Sequence, residues 1–323
     1  MNTGRGELAV GVDLGGTKIA SALVTEQGEV VAARQTLTQA GEGPKAVWGR
    51  VAAEVNALVA HAPGRVAGVG IGSPGHVDPR QGVVRNAVNL GWEEAPLATG
   101  VRSRLTIDLP VWIEKDTNAS TLGEHFFGAA RGCDDFVYLS VGSGLGGGVL
   151  ANGVLVSGAN HNASELGHLS LDPNGRQCRC GLRGCAETVV SGGGLLAMTR
   201  EKLAAQTLPT HLTDAPDLTT AEVIAAAQAG DALALAALAE VACWLGIVMA
   251  ACVAVLNPAR IVVGGGLALA ASDFLLAGAQ RELQRRVLAS SCERLEIRLS
   301  QLTSSAVGAA CLVWHADRLR AMR

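Results

Sequence analysis

Apolar runs alternate along the chain with stretches of helical periodicity, and this alternation predicts an α/β protein whose sheets are covered by helices. The runs that indicate buried strands are 8–13, 19–24, 66–71, 111–114, 136–141 and 260–263. Helical periodicity covers 45–61, 117–127, 191–205, 221–256, 273–288 and a last segment that begins near residue 304. The polar, proline-containing stretch 207–217 predicts a surface loop.

One pattern occurs twice. The apolar run 8–13 ends in a glycine-rich bend and a second apolar stretch follows, which predicts a β-hairpin. Residues 136–150 repeat this order of apolar run, glycine cluster and apolar run, and end at the turn Asn152-Gly153. The repetition indicates an internal duplication with two α/β halves, and a cleft between such halves is a common place for a ligand.

Composition narrows the class of protein. A chain of 323 residues with 49% hydrophobic and 17% charged residues can build two domains with sizeable cores. The net charge is −3 and no Lys/Arg-rich block occurs, so we expect neither nucleic acid nor an anionic membrane as a partner. The apolar run 241–256 is shorter than the roughly 20 residues of a membrane span, which predicts a buried helix. Without a signal-like N-terminus, the predicted location is the cytoplasm.

The first glycine-rich bend carries chemistry suited to a phosphate. Its glycines allow backbone N–H groups to approach an anion, its Thr and Lys add donors, and its Asp suits Mg²⁺. The alternative is a tight hairpin turn without a ligand. The candidate residues are Asp13, Gly15, Gly16, Thr17 and Lys18.

Two later glycine clusters extend this hypothesis. Gly142, Ser143 and Gly144 form the equivalent bend of the second half, and a pair of such loops can hold the phosphates of one nucleotide. Gly264, Gly265 and Gly266 follow a predicted strand. They predict either a contact with adenosine or only a strand-to-helix turn.

Asp116 lies between a predicted strand and a predicted helix. Transfer of a phosphoryl group to an alcohol needs a carboxylate that accepts the hydroxyl proton. Asp is also a common N-cap residue, and the sequence leaves both roles open.

Six potential ligands fall within 23 residues, from Glu165 to Glu187. His168, Cys178, Cys180 and Cys185 provide a Cys₃His set, which suits a tetrahedral structural Zn²⁺ rather than a catalytic one; the alternative is a reduced loop without metal. Glu165 precedes His168 by three positions, so a helical turn would place both on one face. Zinc would then hold the two carboxylates in position to accept hydrogen bonds from sugar hydroxyls.

The chain resembles the ROK family of repressors and sugar kinases over almost its whole length. The motifs that carry the resemblance are 13–18, 72–78, 89–92, Asp116, 142–148, 165–168, 178–187 and 256–266. The resemblance implies an actin-like (ribonuclease H-like) sugar kinase fold with two α/β domains around a cleft. We place the smaller domain at 1–118 plus 304–323 and the larger at 119–303, with the last helix returning to the smaller domain.

The resemblance also implies an activity. ATP with Mg²⁺ would phosphorylate the 6-hydroxyl of a hexose, glucose first and N-acetylglucosamine or N-acetylmannosamine next, and Asp116 would be the base. The implied sugar contacts are Gly75, Asn89, Asp116, Glu165, His168 and Glu187. His168 would bind zinc through one ring nitrogen and face a sugar hydroxyl with the other. Family members are commonly homodimers or homotetramers.

Two positions depart from the family pattern. Lys115 stands where the kinases usually have Asn before the catalytic Asp, and it would lower the pKa of Asp116, replace an amide hydrogen bond or crowd the pocket. Ser164 stands where Gly usually precedes the Glu. The competing hypotheses are a non-catalytic, sugar-binding protein of the regulator type and a metal-storage or redox role for the cysteines. The second leaves the glycine loops unexplained. Only seven residues precede the first strand, so we expect no DNA-binding helix-turn-helix.

Overall fold

The computed structural model of the protein describes residues 7–206 and 208–321. Its strands are β1 (Leu8–Leu14), β2 (Lys18–Thr25), β3 (Val30–Leu37), β4 (Val66–Ser73), β5 (His76–Asp78), β6 (Val83–Ala87), β7 (Trp92–Ala95), β8 (Val111–Lys115), β9 (Phe136–Val141), β10 (Leu145–Ala151), β11 (Val154–Leu155), β12 (Arg260–Gly264) and β13 (Glu296–Leu299). Its α-helices are α1 (Pro44–Ala60), α2 (Leu97–Arg102), α3 (Asp116–Phe127), α4 (Gly192–Ala205), α5 (Thr220–Gln228), α6 (Ala232–Leu256), α7 (Gly266–Ala270), α8 (Ser272–Gln284), α9 (Ala289–Cys292) and α10 (Ser305–Ala321).

These elements group into two units. The first comprises Met1–Asp134, Asn152–Ser164 and Gln301–Arg323, and the second comprises Asp135–Ala151 and Glu165–Ser300. The first unit includes α3, whereas the boundary drawn from the sequence at residue 118 assigns that helix to the larger domain. The last helix, α10, packs on β1 and β4 of the first unit, as the family resemblance implies.

The sheet of the first unit has the strand order β3-β2-β1-β4-β8. β1 pairs antiparallel with β2 and parallel with β4, and β4 pairs parallel with β8. Residues alternate between the two faces of a strand, so β1 has large side chains on one face and small ones on the other. Leu8, Val10 and Val12 pack on α1 and the neighbouring strands, while Ala9 faces α10.

Small residues allow α10 to lie close against the sheet. A Cβ added at Gly11 would overlap the carbonyl oxygen of Ala306, and a Cβ added at Gly70 would overlap that of Ala309. The helix contributes Ala306, Ala309 and Ala310 to this contact, all of them buried. The backbones therefore approach to a distance that only glycine in the strands permits.

Gly70→Ala is expected to destabilise the protein by about 1–3 kcal/mol, because the added methyl group must push α10 away from β4. Urea unfolding followed by circular dichroism measures the effect. The matched control is Gly49→Ala in α1, where nothing lies within 4 Å of the added Cβ. Because Ala is favoured over Gly inside a helix, Gly49→Ala should leave stability unchanged or slightly raised. Equal stability of the two variants would contradict the close packing of α10.

A smaller antiparallel sheet, β5-β6-β7, belongs to the same unit. Val77, Val84 and Trp92 are buried in the same hydrophobic core as β1 and α1. The start of β5 and the β6–β7 turn meet at one end of this sheet, where two of the predicted site residues, Gly75 and Asn89, lie.

The second unit repeats the hairpin in β9 and β10, and β12 pairs parallel with both β9 and β13. Its longest helix, α6, packs on α8, α4 and α5. α6 has 25 residues and a mean hydropathy of 2.2 over 18 of them, which by length and composition is enough to cross a bilayer. Of that window, 56% is buried against the protein, as in the core helix of a folded domain. Burial therefore supports the buried-helix prediction. The helix has 25 residues, so the apolar run 241–256 underestimated its length.

The sequence predicted most of these elements. The exceptions have physical causes. The segment 221–256 is two helices, because Gly230 at φ +86° ends α5 and the Asp231 side chain accepts the N–H of Ala234 to begin α6. α8 ends at Gln284 rather than near residue 288. The strands and helices that the sequence did not indicate are β3, β5–β7, β11, β13, α2, α7 and α9; they are short or, in the case of β3, exposed on both faces.

Candidate active site

The carboxyl ends of three parallel strands meet at one edge of the first unit's sheet. Asp13 of β1 is level with Gly72 of β4, and Gly72 is level with Glu114 of β8. A Cβ at Gly72 would lie 3.3 Å from the Cα of Asp116. The fold therefore brings the glycine-rich bend that follows β1 and the candidate base to the same edge, which is where ligands bind in parallel α/β sheets.

The bend after β1 is fixed by backbone contacts. Gly15 N–H donates to the carbonyl oxygen of Lys18 at 2.9 Å. The hydroxyl of the buried Thr38 donates to the carbonyl oxygen of Gly15 at 2.6 Å. Burial raises the pKa of Asp13, while the charge of Lys18 and a hydrogen bond with Ser305 lower it. The side chains of Thr17 and Lys18 stay exposed, so they remain accessible to a ligand.

Asp116 is the first residue of α3. Lys115 precedes it at the N-cap position, so the proposed alternative role of Asp116 as the N-cap is wrong. One carboxylate oxygen of Asp116 accepts the N–H of Thr117 at 2.7 Å. An acidic side chain is favoured in the first turn, where the helix dipole is positive. Asp116 is therefore fixed at the first turn of α3, with its carboxylate bonded to the backbone.

The residues before Asp116 are buried. Glu114 accepts hydrogen bonds from Lys115 N–H at 2.9 Å and from the Asn118 side chain at 3.0 Å. Burial raises the pKa of Glu114, and these bonds and the charge of Lys115 lower it. Lys115 itself is only 7% exposed. The departure from the family pattern thus places a buried cationic residue next to the candidate base.

Gly75 and Asn89 lie at the same end of the small sheet, because Gly75 precedes His76, which pairs with Asn86, and Asn89 lies in the turn that follows β6. Gly75 has φ +88°, and a Cβ there would overlap the carbonyl oxygen of Asn86, so this position requires glycine. Asn89 is exposed in the turn between β6 and β7. Its carbonyl oxygen lies 3.1 Å from the position of a Cβ on Gly16, so Asn89 neighbours the first glycine-rich bend.

In the second unit, two glycine clusters lie together. Gly142 joins β9 to β10, and a Cβ on it would lie 3.8 Å from the backbone nitrogen of Gly266. Gly265 has φ +89°, and a Cβ there would lie 2.5 Å from the carbonyl oxygen of Val141. The cluster 264–266 forms the strand-to-helix turn between β12 and α7. Ser143 is exposed between Gly142 and Gly144.

The predicted metal ligands converge. One ligand atom from each of His168, Cys178, Cys180 and Cys185 lies within 4.8 Å of the other three. The Sγ atoms of Cys180 and Cys185 are 3.6 Å apart, and Cys178 Sγ is 4.0 Å from His168 Nδ1. A disulfide would need about 2.05 Å, whereas two thiolates at about 2.3 Å from one zinc are about 3.8 Å apart. The donor set and its spacing fit a tetrahedral zinc.

The loop that carries the cysteines is a tight knuckle. Cys178 N–H donates to Leu182 O at 2.8 Å, and Gly181 and Gly184 turn the chain at φ +92° and +68°. Burial raises the pKa of the Cys185 thiol to about 12. A metal must therefore displace protons from the thiols when it binds.

The two predicted carboxylates flank this cluster. Leu166–His168 form a 3-10 turn, which places Glu165 Oε2 at 3.9 Å from Nε2 of His168, the ring nitrogen that faces away from Cys178. One oxygen of Glu187 lies 4.0 Å from Cys178 Sγ, and the other accepts the N–H of Leu145 at 3.1 Å. A Cβ on Gly144 would overlap Glu187. Glu187 therefore joins the cysteine cluster to the glycine-rich bend 142–144.

The sequence did not indicate several supporting residues. Thr38 and Ser305 hold the first bend from distant parts of the chain, and the contact of Glu187 with Leu145 spans 42 positions. Such contacts depend on the tertiary fold and leave no local motif.

Comparisons with known proteins agree with this arrangement. The model of the ROK family matches residues 9–316. The chain is 33% identical to a glucokinase of Halalkalibacterium halodurans over 94% of both chains. It is 30% identical to a xylose repressor of Caldicellulosiruptor bescii, over 94% of this chain and 76% of the repressor. A ROK family glucokinase from Streptomyces griseus, solved in complex with glucose and AMPPNP, superposes with a TM-score of 0.81 and 30% identity, over 94% of this chain and 98% of that one.

Proposed function

Because the chain belongs to the ROK family and has its actin-like fold, we propose that it is an ATP-dependent kinase that phosphorylates the 6-hydroxyl of glucose. One observation carries the assignment. The bend that starts at Asp13 and the carboxylate of Asp116 lie at the same edge of one sheet, so a phosphate-binding loop and a general base are neighbours. Glucokinases at 32–34% identity support glucose as the hexose.

Asp116 accepts the proton of the attacking hydroxyl. Phosphoryl transfer depends mainly on position and charge, so the base must be ionised and fixed. The hydrogen bond from Thr117 N–H at the start of α3 fixes the side chain. The exposed Lys18 and the backbone N–H groups of the two glycine-rich bends hold the phosphates of ATP. The turn 264–266 would contact the adenosine, since it adjoins Gly142.

Mg²⁺ would be held by Asp13, whose carboxylate suits a hard cation, and would neutralise charge on the phosphates when bound. Burial raises the pKa of Asp13, and a cation bound there would favour its ionised form.

The residues proposed as sugar ligands are Gly75, Asn89, Glu165, His168 and Glu187. Carboxylates accept the hydroxyl protons of a sugar, and an imidazole can do so through its free nitrogen. His168 has its Nε2 on the side of Glu165, away from Cys178. A zinc ion on the Cys₃His set would hold these side chains in place without taking part in the chemistry.

The second candidate is a sugar-binding protein without kinase activity. It is favoured by the buried Lys115 beside Asp116 and by the likeness to repressors. A kinase of N-acetylglucosamine or N-acetylmannosamine is the third, and Ser164, at φ +61°, is the residue that would alter the pocket for a 2-substituent. We place the enzyme in the cytoplasm as a homodimer or homotetramer, as is common in the family.

A coupled assay of ATP consumption over glucose, mannose and the two N-acetylhexosamines separates these functions. We expect turnover with glucose at a kcat/KM at least tenfold above that of each other sugar, because a site built for one hydroxyl pattern leaves its polar groups unpaired with another. Preference for an N-acetylhexosamine would move the assignment to that sugar. Binding of a sugar by calorimetry without any turnover would contradict the kinase and support the sensor.

A further inference from the structure

A cavity of about 320 Å³ lies in the first unit, beside the β5–β6 hairpin and outside the residues proposed for catalysis. The hairpin lines one side of it and the segment 159–161 lines the other. Its lining residues are His76, Asp78, Arg80, Gln81, Arg85, Ala159, Asn160 and His161. Sites for small molecules are usually concave spaces of roughly this size or larger, with a few convergent polar groups.

Part of the polar lining is already engaged. One oxygen of Asp78 accepts the N–H groups of Arg80 and Gln81, and the other accepts Arg85 at 2.8 Å. Burial alone would raise the pKa of Asp78, but the hydrogen bonds from Gln81 and Arg85 hold it below its usual range. Its negative charge is therefore neutralised within the wall, where Arg85 also binds Glu94.

The remaining groups are mostly donors. Among the described residues, none makes a hydrogen bond or ion pair with the side chain of Arg80 or Gln81. No described residue forms a hydrogen bond with the buried Nδ1 of His161, and the residue is held at φ +61°. His76 Nε2 lies 2.7 Å from the carbonyl oxygen of Asn160, which can only accept, so this nitrogen carries the proton.

The unengaged polar groups that line the cavity suit a bound anion. Arg85 pairs with both Asp78 and Glu94, so the unpaired positive charge of the lining is that of Arg80, and each oxygen of Asp78 already accepts at least one hydrogen bond. A phosphate group needs several donors together with an arginine, which is what Arg80, Gln81 and His161 provide.

We propose that this cavity binds the phosphate group of a small molecule, either inorganic phosphate or a hexose phosphate. The occupant would influence the sugar site, because His76 directly follows Gly75 in the chain and both belong to the rim of one hairpin. It would hold the start of β5 against the segment 159–161, and with it the backbone of Gly75. The link to the sugar site rests on the proposed function, whereas phosphate binding does not.

Isothermal titration calorimetry of the full chain with inorganic phosphate and with glucose 6-phosphate tests the proposal. Saturating glucose and a non-hydrolysable ATP analogue are present, so that the proposed sugar and nucleotide sites are both filled. We expect one phosphate group bound per chain. Arg80→Gln and His161→Asn should each weaken binding about tenfold, because each removes a charge-assisted or buried hydrogen bond. Asn tolerates a positive φ, so the second change keeps the backbone.

The matched control is Arg131→Gln, which removes the same charge from an exposed position that does not line the cavity. It should bind phosphate as the unchanged protein does, and all three variants should retain kinase turnover measured without added phosphate. Tighter binding of glucose 6-phosphate would assign a sugar ester as the occupant, and equal binding would assign inorganic phosphate. Absence of binding, or binding that Arg80→Gln and His161→Asn leave within twofold, would overturn the proposal. If the unchanged protein shows no kinase activity, the proposed function is contradicted, whereas the proposed phosphate site is not.

Discussion

Asp116→Asn is expected to lower turnover by about 10²–10⁴-fold, because it removes the group that accepts the proton of the attacking hydroxyl. The amide has nearly the same shape and keeps an oxygen that can accept the N–H of Thr117, so the start of α3 should be preserved. Affinity for glucose should stay within a few-fold, since little contact surface is lost. Steady-state kinetics and glucose calorimetry on the same preparation give the two quantities separately.

Asp108→Asn is the matched control. Asp108 is an exposed carboxylate of the same unit that pairs with Arg102 at 2.9 Å, and surface pairs contribute little to stability. Its turnover should equal that of the unchanged protein. Turnover of Asp116→Asn within tenfold of the unchanged protein would contradict the assigned base. A parallel loss of glucose binding would instead make Asp116 mainly a sugar ligand.

The sequence predicted the duplicated hairpins because their signal is local. An apolar run, a glycine-rich bend and a second apolar run are contiguous, and β1–β2 and β9–β10 follow that pattern closely. The placement of Asp13 and Asp116 at one edge was not predicted, because it depends on β1 and β8 each pairing in parallel with β4, which lies between them in the sheet. The roles of these residues stay predictions.

Contacts between distant segments were not predictable. Alternation in β1 does show that Ala9 and Gly11 share one face, but only the structure identifies α10 as the element packed there. The split of the long helical segment at Gly230 depended on a single residue in a stretch whose periodicity continues on both sides. His161 lacks any motif, and its place in a cavity wall depends on how 159–161 meets the β5–β6 hairpin.

The Cys₃His set was predictable for a different reason. Three cysteines within eight positions have few structural explanations in a long chain without a disulfide framework, and the glycines at 181 and 184 supply the turns that a knuckle needs. The contact of Glu187 with both Cys178 and Leu145 was not foreseen. It gives the cluster a physical connection to the bend 142–144, so loss of zinc should disturb more than its own loop.

Cys185→Ser is expected to abolish zinc binding and to lower the melting temperature by about 5–10 °C, the equivalent of roughly 3 kcal/mol for a domain of this size. Cys185 is fully buried and supplies one of the four converging ligand atoms, and Ser in its place lacks the thiolate that would complete the Cys₃His set. Metal analysis should give one zinc per chain before the change and almost none after it. Because Glu187 contacts the cluster, KM for glucose should rise as well.

Cys292→Ser provides the control, since Cys292 is a partly exposed free cysteine of the same unit outside the cluster. It should keep one zinc per chain and the original melting temperature. A chelator should lower the melting temperature of the unchanged protein and of Cys292→Ser to the same extent, and leave Cys185→Ser where it already is. If Cys185→Ser melts at the original temperature and still retains one zinc, the four residues do not form a structural metal site, and another feature must hold Glu165 and Glu187 in place.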